Sequence, residues 1–193
     1  EPGKAGQERR VRLELKLLAD VGIIGLPNAG KSTFLSTVSA AKPKIADYPF
    51  TTLRPYLGVV VGRDDAEPVV MADLPGLIEG AADGAGLGHR FLRHVERCRV
   101  LLHLVDLSDV SSEVESDLTM VEKELAAFDP KLLQRGRVIV GSKLDAATEE
   151  RRRRLEQVAK TRGLPYFEIS SVAGEGLVEL LDTVVALLSR EDI

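Results

Sequence analysis

Several features are scarce in this chain of 193 residues, and each scarcity excludes a class of protein. Cys98 is the only cysteine, so the chain forms no internal disulfide and no cysteine-based zinc cluster, which suits a reducing cytoplasm. No stretch approaches the roughly 18 consecutive apolar residues of a membrane span, and the first residues lack the charged-then-apolar pattern of a signal peptide. We therefore expect a cytoplasmic protein with no membrane partner.

The chain also lacks an excess of positive charge. Its formal net charge is −4 and its isoelectric point is about 5.5, which argues against a surface that coats nucleic acid. We expect no sequence-specific DNA binding, and an RNA partner would have to meet a local patch. With 44% hydrophobic residues, the chain is long enough for one domain with a large core and too short for two of typical size.

The first residues differ in character from the rest. Residues 1–10 are polar and turn-rich and do not begin with Met, which is typical of an inter-domain linker. Residues 11–17 alternate valine or leucine with charged residues, the period-2 pattern of a half-buried strand. We therefore predict that residues 1–18 are a linker and a strand left from a preceding domain, and that residues 19–193 form the main domain.

The most informative stretch is a glycine-rich loop. Residues 21–24 are an apolar run typical of a buried parallel strand, and residues 25–32 match the pattern G-x-x-x-x-G-K-S. Backbone N–H groups of such a loop and of the helix after it bind phosphate, with Lys31 reaching the β- and γ-phosphates and Ser32 holding Mg²⁺. The alternative is an ordinary strand-to-helix turn, which the full pattern disfavours. The motif does not choose between ATP and GTP.

Strands and helices alternate along the rest of the chain. The pattern predicts a helix over residues 33–41, a hairpin of strands over 57–61 and 68–72, a helix over 89–97, a strand over 100–105, a helix capped by Ser111 or Ser112 and ending at Phe128, a strand over 138–141, a helix over 147–161, a strand over 166–169 and a helix over 175–189. Such alternation favours a mostly parallel sheet with helices on both faces. We predict an α/β, three-layer P-loop NTPase fold with a mostly parallel, six-stranded sheet.

Two segments between these elements carry further candidate residues. Residues 42–56 hold three prolines and the pair Thr51-Thr52, and a loop of that length inside a compact domain is usually functional. Asp73 follows a predicted strand and suits a carboxylate that holds a Mg²⁺-bound water, while the N–H of Gly76 can approach a γ-phosphate closely. The D-x-x-G pattern is weak alone and gains weight from its position one hairpin beyond the phosphate loop.

Polar residues follow several predicted strands, and the carboxyl ends of parallel strands meet at one edge of a sheet. Besides the phosphate loop and Asp73, these residues are Asp106, 142–145 and 170–171. The Asp145 carboxylate can accept hydrogen bonds from guanine N1 and the 2-amino group, which adenine lacks, and Lys143 would lie along the base. Taken alone, these two residues favour a solvated turn, but their position at the shared edge favours guanine selection.

The order of these motifs is that of a GTPase: the phosphate loop, Asp73-x-x-Gly76, Lys143-x-Asp145 and Ser170-Ser171. Longer and more particular strings occupy residues 26–29, 47–58, 78–81 and 86–94. On these residues the chain resembles the translation-factor-related P-loop GTPases and, among them, the Obg family. The resemblance implies an Obg-type GTPase domain over residues 19–193, with residues 11–22 similar to the junction that follows the glycine-rich N-terminal domain of that family.

The resemblance also implies a nucleotide site with Mg²⁺. Thr52 would join Ser32 on Mg²⁺, Asp73 would act through a water, and the loop of Thr52 would order with the triphosphate. Lys31, Asn28, Thr52 and Gly76 would position phosphate and water, with no side-chain general base assigned. The residues implied to contact GTP or GDP are Gly25, Leu26, Pro27, Asn28, Ala29, Gly30, Lys31, Ser32, Thr33, Phe50, Thr51, Thr52, Asp73, Leu74, Pro75, Gly76, Ser142, Lys143, Leu144, Asp145, Ser170, Ser171 and Val172.

Two residues depart from the family pattern on the guanine side. The family normally has Asn where Ser142 stands, and an Asn amide can both bind the N7 region of the purine and tie down the phosphate loop. Serine is shorter and has one hydroxyl, so we predict retained guanine preference with weaker or faster-exchanging nucleotide. Ser171 replaces the usual Ala, and its backbone N–H can still contact guanine O6.

A third departure concerns hydrolysis. Leu77 occupies the position where many relatives have a Gln that orients the attacking water, which predicts slow intrinsic turnover. GTPases similar at this loop use the Asn carboxamide to bind K⁺, which makes Asn28 a candidate K⁺ ligand. The alternative is that Asn28 only satisfies its own loop backbone.

The function that accounts for these motifs is a slowly GTP-hydrolysing switch. By resemblance, its partner is the ribosome or the large ribosomal subunit, and its role is in ribosome assembly or stress response. Two alternatives stay open: a P-loop kinase or ATPase, which leaves Asp145 and Thr52 without roles, and a pseudo-GTPase, which Leu77 and Ser142 favour. The four arginines at 151–154 predict a solvated helix face, with ribosomal RNA contact as the alternative, and neither His89 nor His94 is assigned a role.

Overall fold

The computed structural model describes residues 19–45, 55–62, 67–74 and 98–190. The predicted linker and strand over residues 1–18 and the predicted helix over 89–97 lie outside the described residues. In chain order, the elements are β1 (Val21–Ile24), α1 (Lys31–Val38), β2 (Lys44–Ile45), β3 (Tyr56–Val60), β4 (Val69–Asp73), β5 (Val100–Asp106), α2 (Val114–Phe128), β6 (Gly136–Ser142), α3 (Glu149–Arg162), β7 (Tyr166–Glu168) and α4 (Leu177–Arg190), with short 3₁₀ helices at Pro130–Gln134 and Leu144–Ala146.

These elements form one mixed sheet in the order β2-β3-β4-β1-β5-β6-β7. Strands β4, β1, β5, β6 and β7 run parallel, whereas β2 and β3 are antiparallel to their neighbours. The α/β fold prediction is confirmed, but the count of six strands was wrong, since the described part of the sheet has seven. The additional strand, β2, has two residues, both exposed at the sheet edge, so its sequence carries no burial pattern.

Strand β1 lies at the centre of the sheet because it is apolar throughout. All four of its residues are buried, and it pairs with β4 on one side and β5 on the other. A strand covered on both faces needs no polar alternation, which is why residues 21–24 read as a continuous apolar run. The parallel register places Ile23 beside Asp73, so the loop after β1 and the end of β4 share one edge of the sheet.

Helices cover both faces of the sheet and make it the middle of three layers. One face packs against α1 and α4 through buried residues such as Phe34, Leu180 and Val184. The other packs against α2 and α3 through residues such as Leu118 and Leu155. In the described ranges, no helix is both long and apolar enough to cross a membrane.

The start of α2 differs from the prediction of a serine cap. Its N-cap is Glu113, which makes no side-chain capping hydrogen bond. The Ser111 hydroxyl donates to Asp109 at 2.6 Å, and the Ser112 hydroxyl donates to Asp117 at 2.8 Å. The cap prediction was wrong because the helix begins at Val114, which puts Glu113 at the N-cap position and leaves both serines in the preceding turn.

Candidate functional site

The glycine-rich loop joins β1 to α1 through three residues with positive φ. Gly25 has φ of 148°, and a Cβ there would overlap the carbonyl oxygen of Leu104 on β5. Asn28 has φ of 63° and Gly30 has φ of 85°, with Gly30 as the N-cap of α1. Left-handed residues turn successive N–H groups toward one side of a loop, and the start of α1 adds the N-terminal end of a helix dipole. The loop is therefore built as an anion site.

Lys31 is held within this loop. Its Nζ donates to the carbonyl oxygens of Gly25 at 3.0 Å and Leu26 at 2.9 Å. Ala29 is buried, whereas Pro27 and Asn28 are exposed. Together these residues form a compact turn that holds the Lys31 ammonium. Its positive charge favours the binding of a phosphate to the backbone N–H groups of the loop.

On one side of the loop, α1 meets the end of β4. The Ser32 hydroxyl donates to Asp73 Oδ2 at 2.5 Å. Asp73 is 2% exposed, and its Oδ1 has no hydrogen-bond partner among the described residues. Burial raises the pKa of Asp73, although the Ser32 hydrogen bond and the charge of Lys31 oppose that shift. A hydroxyl and a buried carboxylate with one unsatisfied oxygen are the hard oxygen donors that Mg²⁺ prefers, so these residues fit that ion.

On the other side of the loop, β6 ends in a turn that exposes the predicted guanine residues. Lys143 has φ of 57°, and its Nζ donates to Asp106 Oδ2 at 2.6 Å. Burial raises the pKa of Asp106, but hydrogen bonds from Lys143 and Ser108 outweigh that effect and hold the pKa below its ordinary value. The sequence placed Asp106 at this edge without a partner, and the structure makes it the residue that fixes the Lys143 ammonium.

Asp145 is exposed, yet its carboxylate is held in place. Ser170 Oγ donates to Asp145 Oδ1 at 2.6 Å, and Ser170 Oγ in turn accepts the backbone N–H of Ala173 at 3.1 Å. Ser170 is fully buried, so the segment after β7 anchors a carboxylate that faces solvent. The backbone N–H of Leu144 bonds to the carbonyl of Ile169 and joins the two segments a second time.

Ser142 connects the guanine side to the phosphate loop. Its Oγ donates to the carbonyl oxygen of Ala29 at 2.7 Å and lies 3.1 Å from that of Val105. The residue is 3% exposed. The contact with the phosphate loop that we expected an Asn to supply is therefore made here by the serine hydroxyl.

The structure describes some of the predicted site residues and not others. Phe50, Thr51, Thr52, Pro75, Gly76 and Leu77 lie outside the described residues. Leu74 is buried with its side chain in the core, whereas Val172 is 86% exposed. Ser171 offers its carbonyl oxygen to the Thr37 hydroxyl at 3.3 Å, which brings α1 close to the segment after β7.

The four arginines at 151–154 on α3 have two different environments, since three lie on the outer face of the helix and one is buried. Arg152, Arg153 and Arg154 lie on the outer face and pair with Glu168, Glu149 and Glu115, which confirms a solvated face for them. For Arg151 that prediction was wrong. Arg151 is 8% exposed, pairs with Asp117 at 3.4 Å and donates to the carbonyl oxygens of Ser112 and Asp106. These hydrogen bonds stabilise the segment that contains Asp106. The sequence does not indicate this role, because Arg151 is one of four consecutive arginines.

A buried histidine beside the loop was also missed. His103 on β5 is 2% exposed and lines a cavity with Asn28 and Asp106. Burial lowers the pKa of His103 to about 3, and the charges of Arg137 and Arg162 act in the same direction. The imidazole is therefore neutral at physiological pH. The sequence of β5 is otherwise a continuous apolar run up to Asp106, and a histidine within such a run is predicted to be a core residue.

The fold and this loop define a P-loop protein that binds a nucleotide phosphate. A family model described as "50S ribosome-binding GTPase" matches residues 20–143, which is more than half of the chain. The chain belongs to this family of GTPases, whose members in general bind GTP and GDP with Mg²⁺.

Curated relatives and solved structures agree with that assignment. The chain is similar to the GTPase Obg of Thermodesulfovibrio yellowstonii, with 56% identity over 183 residues that cover 94% of this chain and 54% of that protein. It is similar to the GTPase Obg of Syntrophobacter fumaroxidans, with 54% identity over 197 aligned residues that cover 100% of this chain and 56% of that protein. The G domain of the T. maritima FeoB iron transporter shares the fold, with a TM-score of 0.63 at 21% identity over 89% of this chain and 99% of that one.

The resemblance to the Obg family is thereby confirmed. The chain spans about half the length of the curated relatives it matches.

Proposed function

We propose that this chain binds GTP and GDP with Mg²⁺, hydrolyses GTP slowly and acts as a switch that contacts the ribosome or its large subunit. The observation that carries the proposal is the position of two carboxylates on either side of one phosphate loop. Asp73 accepts the Ser32 hydroxyl on one side, and Asp145 is held by Ser170 on the other. A phosphate-and-metal end and a base-selecting end are what a nucleoside triphosphate requires.

In this proposal, the phosphate end positions charge without a side-chain general base. The loop N–H groups and Lys31 bind the β- and γ-phosphates, and Ser32 holds Mg²⁺ with Asp73 acting through a water. The ion neutralises charge on the phosphates. Thr52 and Gly76 sense the γ-phosphate, so contacts with the partner differ between the GTP and GDP forms.

The base end selects guanine. Asp145 accepts hydrogen bonds from N1 and the 2-amino group, Lys143 lies along the base, and the backbone N–H of Ser171 meets O6. The hydrogen bond that Lys143 donates to Asp106 and the one that Ser170 donates to Asp145 fix these groups before nucleotide binds. Such preorganisation lowers the entropy lost on binding.

The first experiment is a titration of the chain with labelled GDP, GTP and ATP, followed by a measurement of phosphate release. We expect GDP and GTP to bind more tightly than ATP by about a hundredfold, because adenine leaves the Asp145 carboxylate without its two donors. ATP binding comparable to GTP would contradict guanine selection. Tight GTP binding with no phosphate release, even with K⁺ and ribosomes present, would favour the pseudo-GTPase.

Slow hydrolysis is proposed because Leu77 cannot orient water, and Asn28 is proposed to recruit K⁺ in compensation. Asn28 is exposed in a left-handed conformation. Within the described ranges, its carboxamide makes no hydrogen bond to the loop backbone. That supports the K⁺ proposal over the alternative that the side chain only satisfies the loop.

Turnover in K⁺ and in Na⁺ tests this role. We expect GTP hydrolysis to be faster in K⁺ by about tenfold, a barrier difference of about 1.4 kcal/mol, because a bound cation stabilises the developing phosphate charge. Asn28→Ala should remove the difference, whereas Gln157→Ala, which removes an exposed carboxamide on α3, should keep it. Equal rates in the two salts for the unmodified chain would rule the K⁺ ligand out.

The ribosomal partner is proposed from the family description. The arginines at 152–154 lend no support to an RNA contact at α3, since each has a carboxylate partner. The proposal therefore rests on the family description and not on a basic patch of that helix.

A further inference from the structure

The hydroxyl of Ser142 sits between the phosphate loop and the residues proposed to select guanine. Ser142 is the last residue of β6, directly before Lys143 and three residues before Asp145. The loop comes close on the other side, because a Cβ added to Gly30 would lie 3.9 Å from the Ser142 Oγ. A base held by Asp145 over a phosphate bound at the loop therefore lies beside this side chain.

The hydroxyl has only one proton, and the protein already uses it. Both neighbours of the Ser142 Oγ are carbonyl oxygens, that of Ala29 at 2.7 Å and that of Val105 at 3.1 Å. Each is an acceptor, so the proton must point at one of them, and the shorter contact is the one to Ala29. A serine hydroxyl has no second donor, in contrast to the two N–H groups of an asparagine amide.

The imidazole edge of guanine needs a donor that Ser142 cannot give. N7 is an acceptor, and it lies on the opposite edge of the base from the N1 and 2-amino donors that Asp145 would read. Turning the Ser142 proton toward N7 would leave the carbonyl oxygen of Ala29 without this donor. Because Ala29 is 1% exposed, breaking that bond would also loosen the phosphate loop.

We propose that, because of Ser142, the affinity of this site for guanine nucleotides does not depend on N7. The chain then also binds guanine nucleotides in which that position is not a hydrogen-bond acceptor. The inference rests on the proposed function and specifies its substrate class. Selectivity for guanine over adenine then comes from Asp145 at the N1 and 2-amino edge and from the backbone N–H of Ser171 at O6, since adenine also has an N7 acceptor. Ser142 affects specificity because it gives no hydrogen bond to N7. Its hydroxyl instead positions the phosphate loop through Ala29.

The test compares GDP, 7-deaza-GDP and ADP by isothermal titration of the whole chain and its Ser142→Asn and Ser142→Ala variants. For the unmodified chain we expect GDP and 7-deaza-GDP to bind within about twofold of each other, since no hydrogen bond distinguishes them. Ser142→Asn should bind GDP more tightly than 7-deaza-GDP by about fivefold or more, the effect of one restored hydrogen bond. Ser142→Ala should keep the two ligands equal while weakening both.

Two outcomes separate this inference from the proposal beneath it. If ADP binds weakly but 7-deaza-GDP is weaker than GDP by about fivefold in the unmodified chain, then N7 is read and the inference is overturned, while guanine selection stands. If ADP binds as tightly as GDP, guanine selection fails, and the inference fails with it. Even if Ser142→Asn does not fold, the affinities of the unmodified chain for GDP and 7-deaza-GDP are enough to test whether N7 is read.

Discussion

Asp145→Asn is expected to weaken GDP binding by about a hundredfold or more and to create affinity for xanthosine diphosphate. Each hydrogen bond from the guanine edge to a carboxylate contributes about 1.5 to 3 kcal/mol, and an amide nitrogen would oppose a donor of the base where the carboxylate accepted one. Xanthine has a carbonyl in place of the 2-amino group, so the same amide nitrogen can donate to it. The effect follows from geometry that the protein fixes in advance.

The substitution should leave the fold intact. Asp145 is exposed, and an amide oxygen can still accept the Ser170 hydroxyl that holds the carboxylate at 2.6 Å. The measurement is calorimetric titration with GDP, ADP and xanthosine diphosphate. Asp182→Asn on α4 makes the same chemical change at an exposed carboxylate remote from this edge, and it should bind GDP as the unmodified chain does. Unchanged GDP affinity in Asp145→Asn would refute the assignment of Asp145 to the base.

Gly176→Ala is expected to destabilise the chain by about 2 to 5 kcal/mol. Gly176 has φ of 69°, and a Cβ there would overlap the carbonyl oxygen of Glu168 at the end of β7. A left-handed alanine costs about 1 to 2 kcal/mol, and displacing a packed backbone adds about 1 to 3 kcal/mol. Because the displaced segment leads to Ser170, GDP affinity should fall as well.

Gly163→Ala is the matched control for that change. Gly163 has nearly the same φ, 65°, at the C-terminal end of α3, but a Cβ there meets no atom within 4 Å. It should cost only the backbone strain of about 1 to 2 kcal/mol and leave GDP affinity unchanged. Urea unfolding of both variants separates strain from overlap. Equal losses of stability would show that the overlap is relieved without cost, contrary to the expectation.

The local features of the chain were predictable because short-range sequence determines them. The apolar run of β1, the glycine pattern of the loop and the helix after it follow one another without a gap, so their geometry depends on neighbouring residues. The alternation of elements predicted the α/β fold and the shared edge of strand ends. Strand β2 was not predicted because it has only two residues, both exposed, which are too few to show an alternation of apolar and polar residues.

Hydrogen bonds between residues far apart in the chain could not be predicted from the sequence. Ser142 bonds to Ala29, 113 residues earlier in the chain, and Arg151 bonds to Asp106, 45 residues earlier. Nothing in the composition around Arg151 distinguishes it from Arg153, since a helix buries one face and the neighbouring elements decide which residue faces inward. The predicted serine cap of α2 failed because the helix begins one residue too late for it, at Val114 with Glu113 as its N-cap.

The sequence by itself determined the class of this protein: a phosphate loop, two carboxylates at strand ends and an Obg-type order of motifs. The tertiary structure alone decided how those residues are held, with Asp106 fixing Lys143, Ser170 fixing Asp145 and the Ser142 proton committed to the loop. The physical reason is that a motif specifies which chemical groups are present. A hydrogen bond, in contrast, depends on distances that arise only when β1, β5, β6 and β7 lie side by side.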